Sequence, residues 1–541
     1  MKKRQIVLIL AVFGVFWLHG QEVINTVSEV WISDLGNGKY KNPIIYSDFS
    51  DPDVCRVGND YYMTASSFNC IPGLPILYSK DLVNWSLINY ALPKQPPFEV
   101  FSIPQHGNGV WAPCIRYYKD ELYIFYPDPD FGIYMTKTNN PYGKWSKPIL
   151  IKSGKGIIDP APFWDEDGKA YLGYAFAGSR AGTKSILMLC SMNEEGTETS
   201  DDDIIIFDGH KNHVTVEGPK IYKRKGFYYV FAPAGGVSTG WQLILRSKNI
   251  YGPYEEKVVL EQGSTAINGP HQGAWVNTIK GEDWFIHFQD QGPYGRVVHL
   301  NPMSWKDNWP VMGIDYDGNG IGEPVSEFKK PNVGASYPVA TPPESDEFNE
   351  PKQGLQWQWH ANKHLTWGYP SANMGFFRLN CIPKPQNYVN LWNVGNILAQ
   401  KFPSNEFTAT TKFEFIPNFD NEEFGFLIMG RSYSYLAAKN IDGQLKLVQV
   451  ICENSDKGAA ESEKVLDNLK NGSLYFRVKV DKSAYCQFYY SYDGKTFRKI
   501  GEKFKAREGM WIGAKLGFVA LREGKINNAG YTNIDWLRIT N

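Results

Sequence analysis

The chain carries, at residues 58–63, the stretch Gly58-Asn59-Asp60-Tyr61-Tyr62-Met63, a polar turn that leads into an aromatic strand. The same pattern returns four more times, at steps of roughly 50 to 60 residues, in copies that begin at Lys119, Asp167, Arg224 and Gly281. Repeated hairpins of this kind, rich in aromatic residues and bounded by Gly, Asp and Asn, are typical of antiparallel strands. We therefore predict an all-β chain that begins with a five-bladed β-propeller.

A second repeated unit follows most copies of the first. It is a strand with Ser-Lys or Thr-Lys, then a turn and an aromatic residue, as in Leu77-Tyr78-Ser79-Lys80-Asp81 before Trp85 and Tyr134-Met135-Thr136-Lys137 before Trp145. A β-sandwich of the same length is the alternative, but its strands would not carry one turn signature five times. The paired units favour the propeller.

Three short acidic motifs lie far apart in this repeated region. They are Ser50-Asp51-Pro52-Asp53, Ile158-Asp159-Pro160-Ala161 and Val216-Glu217-Gly218-Pro219. An acid beside Pro or Gly is most simply a turn or capping residue. However, all three motifs precede aromatic strands, in blades one, three and four, and a propeller gathers such positions around its axis. The pattern predicts a central pocket with three carboxyl groups.

Two carboxyl groups of unlike character are the minimum equipment for cleaving a glycosidic bond. We expect the short Asp51 to remain ionised as the general base and the longer Glu217 to reach a leaving group as the general acid. Asp159 would raise the pKa of the acid by like-charge proximity and orient it. The other acids nearby, Asp48, Asp53, Asp165 and Asp167, are interpreted as turn residues.

Composition limits the classes of partner. The formal net charge is -1 and the pI is near 6.8, which argues against a nucleic-acid or polyanion binder. Aromatic residues make up 15% of the 541 residues, and aromatic faces stack on sugar rings, although most will pack sheets. The seven cysteines stand singly, without metal-ligand spacing. We predict that most are free and buried; Cys55 could pair with Cys70 or Cys114.

The two ends of the chain differ from the repeated region. Residues 1–20 combine a basic start, an apolar run from Ile6 to Leu18 and a polar end, the order of an export signal. The run is too short for a convincing membrane span, so we expect a periplasmic or secreted protein without stable membrane insertion after signal removal; a lone N-terminal anchor is the alternative. The propeller is assigned to residues 21–330 and a Pro-rich linker to residues 331–344. Residues 345–541, with Asp-Gly turns, are assigned to a β-sandwich domain.

Several long motifs of residues 42–313 resemble glycoside hydrolase family 43, in particular its β-xylosidase and α-L-arabinofuranosidase branch. The motifs that carry the resemblance are Asn42-Pro43-Ile44, Asp51-Pro52-Asp53-Val54-Cys55-Arg56, Ser66-Ser67-Phe68, Pro72-Gly73-Leu74-Pro75-Ile76, Trp111-Ala112-Pro113, Asp159-Pro160, Glu217-Gly218-Pro219, Gly269-Pro270-His271-Gln272-Gly273, His287-Phe288-Gln289-Asp290 and Tyr294-Gly295-Arg296-Val297-Val298-His299-Leu300. From Ser345-Asp346-Glu347-Phe348 onward, the chain is similar to the concanavalin-A-like (jelly-roll) sandwich found beside these propellers.

The resemblance implies an inverting mechanism with the three roles given above. It also implies that Trp111 and Phe68 line a pentose pocket and that Arg296 contacts the sugar, although Arg296 could equally hold a catalytic carboxylate. His271 is expected near the pocket floor, in contact with sugar or ion or simply buried. Cys70 stands where many relatives carry a bulkier aromatic residue, a departure that leaves the shape of the subsite nearest the leaving group, and therefore the linkage preference, open.

The expected function is exo-acting removal of terminal α-L-arabinofuranosyl or β-D-xylosyl residues from plant polysaccharides or oligosaccharides. The alternatives are a non-catalytic carbohydrate-binding propeller and an endo-arabinanase or exo-galactosidase activity on the same fold. Hydrolysis requires no organic cofactor. An axial Ca²⁺ is plausible by resemblance, but no acidic loop demands it.

Overall fold

Five four-stranded antiparallel sheets dominate the first part of the computed structural model, which describes residues 26–524 and 528–541. The predicted export signal, residues 1–20, lies outside the described residues. The strands of this part, in chain order, are β1 Lys39–Lys41, β2 Asp53–Val57, β3 Asp60–Thr64, β4 Gly73–Ser79, β5 Trp85–Leu92, β6 Cys114–Tyr118, β7 Glu121–Asp128, β8 Gly132–Thr138, β9 Ile149–Ser153, β10 Ile157–Trp164, β11 Ala170–Phe176, β12 Ile186–Met192, β13 Ile204–Asp208, β14 Lys220–Arg224, β15 Phe227–Ala234, β16 Trp241–Ser247, β17 Glu255–Leu260, β18 His271–Asn277, β19 Asp283–Asp290, β20 Arg296–Lys306 and β21 Trp309–Met312.

The sheets are the blades of a propeller, and each blade takes its four strands in chain order: β2 to β5, β6 to β9, β10 to β13, β14 to β17 and β18 to β21. The five predicted aromatic strands are the second strands of the five blades, β3, β7, β11, β15 and β19. The second repeated unit, with Ser-Lys or Thr-Lys, corresponds to the third strand of its blade, as in β4, β8 and β16. The five-bladed propeller is therefore confirmed, and the repeat reflects one hairpin geometry used five times.

The ring is closed by a segment that precedes the first blade. Ile45 forms an antiparallel bridge with Val298 of β20, where the main-chain nitrogen of Val298 donates to the carbonyl oxygen of Ile45 at 3.1 Å. The Asn42 side chain joins the same strand: its amide donates to the carbonyl oxygens of Leu300 and Val325 at 2.8 and 2.7 Å, and its oxygen accepts from the Leu300 nitrogen at 2.9 Å. The N-terminal segment thus ties blade one to blade five.

The second part of the chain is a two-sheet sandwich. A short strand between the two parts, β22 Glu327–Lys329, pairs with β1. The strands of the sandwich are β23 Gln358–Trp359, β24 Gly368–Ser371, β25 Phe376–Asn380, β26 Ile382–Pro383, β27 Leu398–Lys401, β28 Phe407–Ile416, β29 Glu423–Met429, β30 Tyr433–Ile441, β31 Gln444–Cys452, β32 Ser462–Asn468, β33 Ser473–Val480, β34 Tyr485–Ser491, β35 Arg498–Lys505, β36 Lys515–Arg522 and β37 Tyr531–Thr540. One sheet follows the order β23-β27-β36-β29-β30-β31-β32, with β26 beside β36, and the other follows β24-β25-β37-β28-β33-β34-β35. The sandwich is confirmed; the linker limits given above stay a prediction.

The helical segments are short. They are the helix α1, Gly178–Ala181, and the 3₁₀ turns Val100–Ser102, Gly292–Tyr294, Ala372–Met374, Leu391–Asn393 and Ser455–Lys457. Over the two described stretches of chain, no helix is long and apolar enough to cross a membrane. All seven cysteines are free, and all but the half-buried Cys55 are buried, as predicted.

The two domains share a continuous core. Tyr46, Tyr294 and Val297 of the propeller pack in the same buried cluster as Phe402 and Phe407 of the sandwich. Main-chain hydrogen bonds also cross the junction, because Ile71 and Trp359 exchange them at 2.9 and 2.6 Å. The sandwich is therefore fixed against the propeller and can contribute to a site on it.

Candidate active site

A pocket of about 240 Å³ opens on the propeller and is lined by all three predicted carboxylates, Asp51, Asp159 and Glu217. Asp51 immediately precedes the first blade, Asp159 lies in β10 of the third and Glu217 precedes β14 of the fourth. The structure thus brings together residues that are up to 166 positions apart in the sequence. The rest of the pocket wall consists of Phe68, Trp111, Ala112, Ile158, Ala177, Gly178, Ser179, Val237, His271, Gln272, Arg296 and Trp511.

Asp51 is held by hydrogen-bond donors. The Ser66 hydroxyl donates to its Oδ2 at 2.5 Å, and the Arg296 guanidinium lies 3.3 Å from its Oδ1. The side chain is 8% exposed, and its backbone adopts φ 54, a left-handed conformation that Asp tolerates better than most residues. These two donors hold the Asp51 carboxyl group in place at the pocket wall.

Asp159 is the most enclosed of the three acids. It lies at a β-bulge between β10 and β11, with φ 57, and its Oδ2 accepts a hydrogen bond from the Gly218 nitrogen at 2.7 Å. Burial, together with the neighbouring Glu217 carboxylate, raises the pKa of Asp159 to about 8. Two neighbouring carboxyl groups, one of them buried, resist ionising together, so the pair Asp159 and Glu217 retains one proton at neutral pH.

Glu217 is the acid that reaches furthest into the open part of the pocket. Its side chain is 29% exposed, against 8% for Asp51. Its Oε1 lies 2.9 Å from His271 Nε2, and its main-chain nitrogen donates to the Pro233 carbonyl oxygen at 3.1 Å. A partly exposed carboxyl beside a group that shares a proton is well placed to exchange that proton with a bound molecule.

The four residues expected to bind sugar all line the pocket. Phe68 is held by a pair of main-chain hydrogen bonds with Val110, and Trp111 is fixed by its Nε1, which donates to the Gly107 carbonyl oxygen at 2.8 Å. Arg296 donates to the Ser50 hydroxyl at 2.9 Å and contacts Asp51, so it is a partner of a carboxylate and also part of the wall.

His271 was expected near the pocket floor, either buried or in contact with a ligand. It is 1% exposed and bonded through Nε2 to Glu217. Its Nδ1 has no hydrogen-bond partner among the described residues. The structure therefore makes His271 a neighbour of the predicted acid.

Two comparisons identify the family. The family model described as glycosyl hydrolases family 43 matches residues 40–310, and the model of the β-xylosidase C-terminal concanavalin-A-like domain matches residues 345–540. The chain belongs to glycosyl hydrolase family 43. It is therefore a glycoside hydrolase with the concanavalin-A-like domain of this family.

Relatives cover nearly the whole chain. A protein of Xylanibacter ruminicola is 38% identical over 90% of this chain and 86% of its own, and a β-xylosidase of Formosa agariphila is 31% identical over 95% and 92%. A non-reducing-end α-L-arabinofuranosidase of Bacteroides ovatus is 28% identical over 74% and 75%. Among solved structures, a family-43 protein from Bacillus licheniformis superimposes with a TM-score of 0.78 at 26% identity, covering 93% of this chain and 99% of that chain.

Trp511 is one of the wall residues of this family-43 site that the sequence analysis did not single out, and it comes from the second domain. It lies on the loop before β36, and its ring meets Trp111 edge to face at a centroid distance of 6.3 Å. The Arg296 guanidinium lies 5.8 Å from its ring centroid. No local pattern marks this position, since only domain docking brings it to the pocket.

Two neighbouring acids are not the turn residues that the sequence suggested. Asp53 lies in β2, fully buried, and pairs with the Arg116 guanidinium at 2.8 Å. Asp48 accepts from the main-chain nitrogens of Arg296 and Gly513, so it links the two domains. That interpretation was wrong for both, because their burial depends on partners distant in sequence.

Cys70 is buried at the domain junction and is not one of the residues that line the pocket.

The axial calcium ion stays a prediction. Within residues 26–524 and 528–541, no group of three or more His, Cys, Asp or Glu side chains is arranged to hold a metal ion.

Proposed function

We propose that this protein is an exo-acting, inverting glycosidase that removes terminal β-D-xylosyl or α-L-arabinofuranosyl residues from plant polysaccharides or oligosaccharides. The observation that carries the proposal is the convergence of Asp51, Asp159 and Glu217 in one small pocket. A non-catalytic binding protein would have no need to keep three acids, one of them with a pKa raised to about 8.

The mechanism assigns each acid the role its surroundings favour. Asp51, positioned by Ser66 and Arg296, accepts a proton from the attacking water. Glu217 donates its proton to the leaving oxygen as the glycosidic bond breaks. Asp159 helps the pair Asp159 and Glu217 to keep one proton until the substrate is bound. The hydrogen bond from the Gly218 nitrogen holds Asp159 beside Glu217.

Inversion requires room for water between base and acid, at a carboxyl separation of about 6.5 to 9.5 Å. Asp51 comes from blade one and Glu217 from blade four, which are not neighbours in the five-bladed ring. The two acids bind different partners, Arg296 and His271, and so approach the pocket from different sides. This arrangement supports displacement by water.

The exo mode is supported by the size and closure of the pocket. Sites for larger ligands typically measure about 300 to 1,000 Å³, whereas this pocket measures about 240 Å³. Trp511 of the sandwich forms part of its wall, which disfavours a polysaccharide chain running through the site as an endo-acting enzyme requires. Among the relatives, one is named a β-xylosidase and another an α-L-arabinofuranosidase, so both sugars are proposed.

The test is release of 4-nitrophenol from the β-D-xyloside and the α-L-arabinofuranoside by the wild type and by Glu217→Gln and Asp51→Asn. We expect turnover by the wild type and a decrease of about 100- to 10,000-fold in each variant, as for loss of a general acid or base. Because 4-nitrophenol is a good leaving group, the loss in Glu217→Gln should be larger on xylobiose.

The matched control is Asp167→Asn, which removes an exposed acid in the turn between β10 and β11 and should leave turnover unchanged. Proton NMR of the first sugar released should show the inverted anomer. Retained configuration would exclude the single displacement, and full activity in Glu217→Gln would exclude the assigned acid. If the wild type hydrolysed neither glycoside, the exo-galactosidase or endo-arabinanase alternatives would be favoured.

A further inference from the structure

A buried contact joins a cysteine of the propeller to a lysine of the sandwich. Lys515 Nζ, at the start of β36, lies 2.8 Å from Cys70 Sγ. Both residues are almost fully buried, at 2% exposure for Cys70 and 3% for Lys515. The contact spans 445 positions of the sequence and has no role in the proposed hydrolysis.

The separation is too short for an ordinary hydrogen bond to sulfur. Hydrogen bonds from nitrogen to oxygen measure about 2.7 to 3.2 Å, and sulfur is a larger atom than oxygen. Other sulfur contacts of this chain are longer: Arg431 Nη2 lies 3.1 Å from Met510 Sδ, and Cys452 Sγ lies 3.2 Å from the Ala459 carbonyl oxygen. The distance instead suits a nitrogen and a sulfur that are bonded to one common oxygen atom.

The surroundings of Lys515 do not supply another anionic partner. Its Nζ also lies 3.4 Å from Gln358 Oε1, and no carboxylate within the described residues forms an ion pair with it. A second, half-buried lysine, Lys401, is close enough to feel its charge: burial lowers the pKa of Lys401 to about 8, Asp48 opposes the shift, and Lys515 adds to it. An uncharged, covalently bound nitrogen at Lys515 would relieve this crowding of cations.

We infer that Cys70 and Lys515 are the site of a covalent cross-link in which one oxygen atom joins Sγ to Nζ. Dioxygen is the oxidant. The S–H bond and one N–H bond break, an S–O and an O–N bond form, and the two hydrogens leave with the second oxygen atom as water. Sulfur and nitrogen together lose the four electrons that dioxygen gains. A thiol reductant that supplies four electrons, and is itself oxidised to disulfide, cleaves the S–O and O–N bonds and gives free thiol, amine and water.

The cross-link would join the two walls of the pocket. Phe68 lies two residues before Cys70, and Trp511 lies four residues before Lys515. The propeller segment that follows Cys70 already binds the sandwich through the hydrogen bonds between Ile71 and Trp359. The Gln358 side-chain amide also donates to the Pro72 carbonyl oxygen at 2.8 Å. A covalent bond here closes a very long loop of chain, which removes conformations from the unfolded state and stabilises the docked arrangement.

The experiment is mass spectrometry of the full purified chain, kept in air-saturated buffer and then split into untreated and reductant-treated samples. The cross-linked chain should be heavier than the reduced chain by about 14 Da, one oxygen gained and two hydrogens lost. After trypsin digestion, the peptides that contain Cys70 and Lys515 should appear as one linked species that separates on reduction. Thermal unfolding of the untreated chain should occur several degrees above that of the reduced chain.

Variants locate the bond. Cys70→Ser and Lys515→Arg should abolish the mass difference, while Cys452→Ser, which removes another buried cysteine, should keep it. Peptide mapping of the wild type decides the case even if a variant fails to fold. Unlinked peptides in the air-exposed wild type would overturn the inference, as would a gain of about 16 Da on the Cys70 peptide alone, the mark of a sulfenic acid.

Discussion

The acid pair Asp159 and Glu217 shows how one buried side chain sets the protonation of a site. Asp159 is 2% exposed, and burial with the nearby Glu217 carboxylate raises its pKa to about 8, far above the ordinary 3.8. One proton is therefore retained by the pair until the pH passes about 8. This residue-scale property predicts the pH dependence of both activity and stability.

We expect Asp159→Asn to lower turnover by about 100-fold, because the acid loses both its charged neighbour and its orientation. Since Asn carries no negative charge, the remaining carboxyl holds its proton less tightly, and the basic limb of the pH profile should move to lower pH. The measurement is the rate of hydrolysis between pH 4 and 10. An unmoved basic limb would reduce Asp159 to a structural role.

The same shift affects stability. A carboxyl whose folded pKa is raised stabilises the fold fully below its unfolded pKa, near 4, and this stabilisation is lost as the pH rises to about 8. The wild type should therefore lose stability over this range, and Asp159→Asn should lose less. Urea unfolding at pH 5 and pH 8 tests the difference, and equal losses in both proteins would contradict the raised pKa.

At the scale of elements, the loop before β36 completes the pocket. Its Trp511 stands against Trp111 and Arg296, while the Gly513 nitrogen in the same loop donates to Asp48 of the propeller. We expect Trp511→Ala to raise KM about tenfold with a smaller effect on kcat, since losing about 1.4 kcal/mol of aromatic contact weakens binding tenfold. Tyr316→Ala, which removes an exposed aromatic residue away from the pocket wall, is the control. A decrease in kcat alone would contradict a binding role.

A second element, the pairing of Phe68 with Val110, depends on Gly109. Gly109 has φ +90, and a Cβ there would lie only 2.4 Å from the Phe68 carbonyl oxygen. Gly109→Ala should therefore cost about 2 kcal/mol or more of unfolding free energy and also reduce activity, because Phe68 lines the pocket.

Gly36→Ala is the matched control, since Gly36 also has a positive φ, +72, but open space around it. It should cost only about 1 kcal/mol, the backbone strain alone, without loss of activity. Chemical denaturation of both variants measures the difference. If both variants lost the same unfolding free energy, the close approach of a Cβ at position 109 to Phe68 would cost no stability.

At the scale of the whole molecule, stability depends on ring closure by the N-terminal segment. Asn42 makes three side-chain hydrogen bonds to Leu300 and Val325 of the closing region. We expect Asn42→Ala to lower the unfolding free energy by about 2 to 4 kcal/mol, because partly buried main-chain groups lose their partners. Asn37→Ala, in an exposed turn, should change it by less than about 0.5 kcal/mol. Equal unfolding midpoints for wild type and Asn42→Ala would contradict a role in closure.

Much of the propeller could be predicted because its repeat is local. Each copy of the turn and aromatic strand, such as residues 58–63, contains the whole signal for one hairpin, and its recurrence gives the blade number. The acids Asp51, Asp159 and Glu217 stood out for the same reason, since each occupies a comparable point of its repeat. The sandwich followed from its alternating strands and Asp-Gly turns, and the family resemblance supplied the wall residues Phe68, Trp111 and Arg296.

What the sequence by itself determined is therefore the set of elements and the three acids, because hairpin formation and repeat position depend on residues close together in the chain. The tertiary structure alone decided that Trp511 completes the pocket, that Asp53 pairs with Arg116, and that Cys70 meets Lys515. These contacts arise from blade packing and from the docking of one domain on the other. Their energy comes from burial of surfaces distant in sequence, which no local pattern of residues encodes.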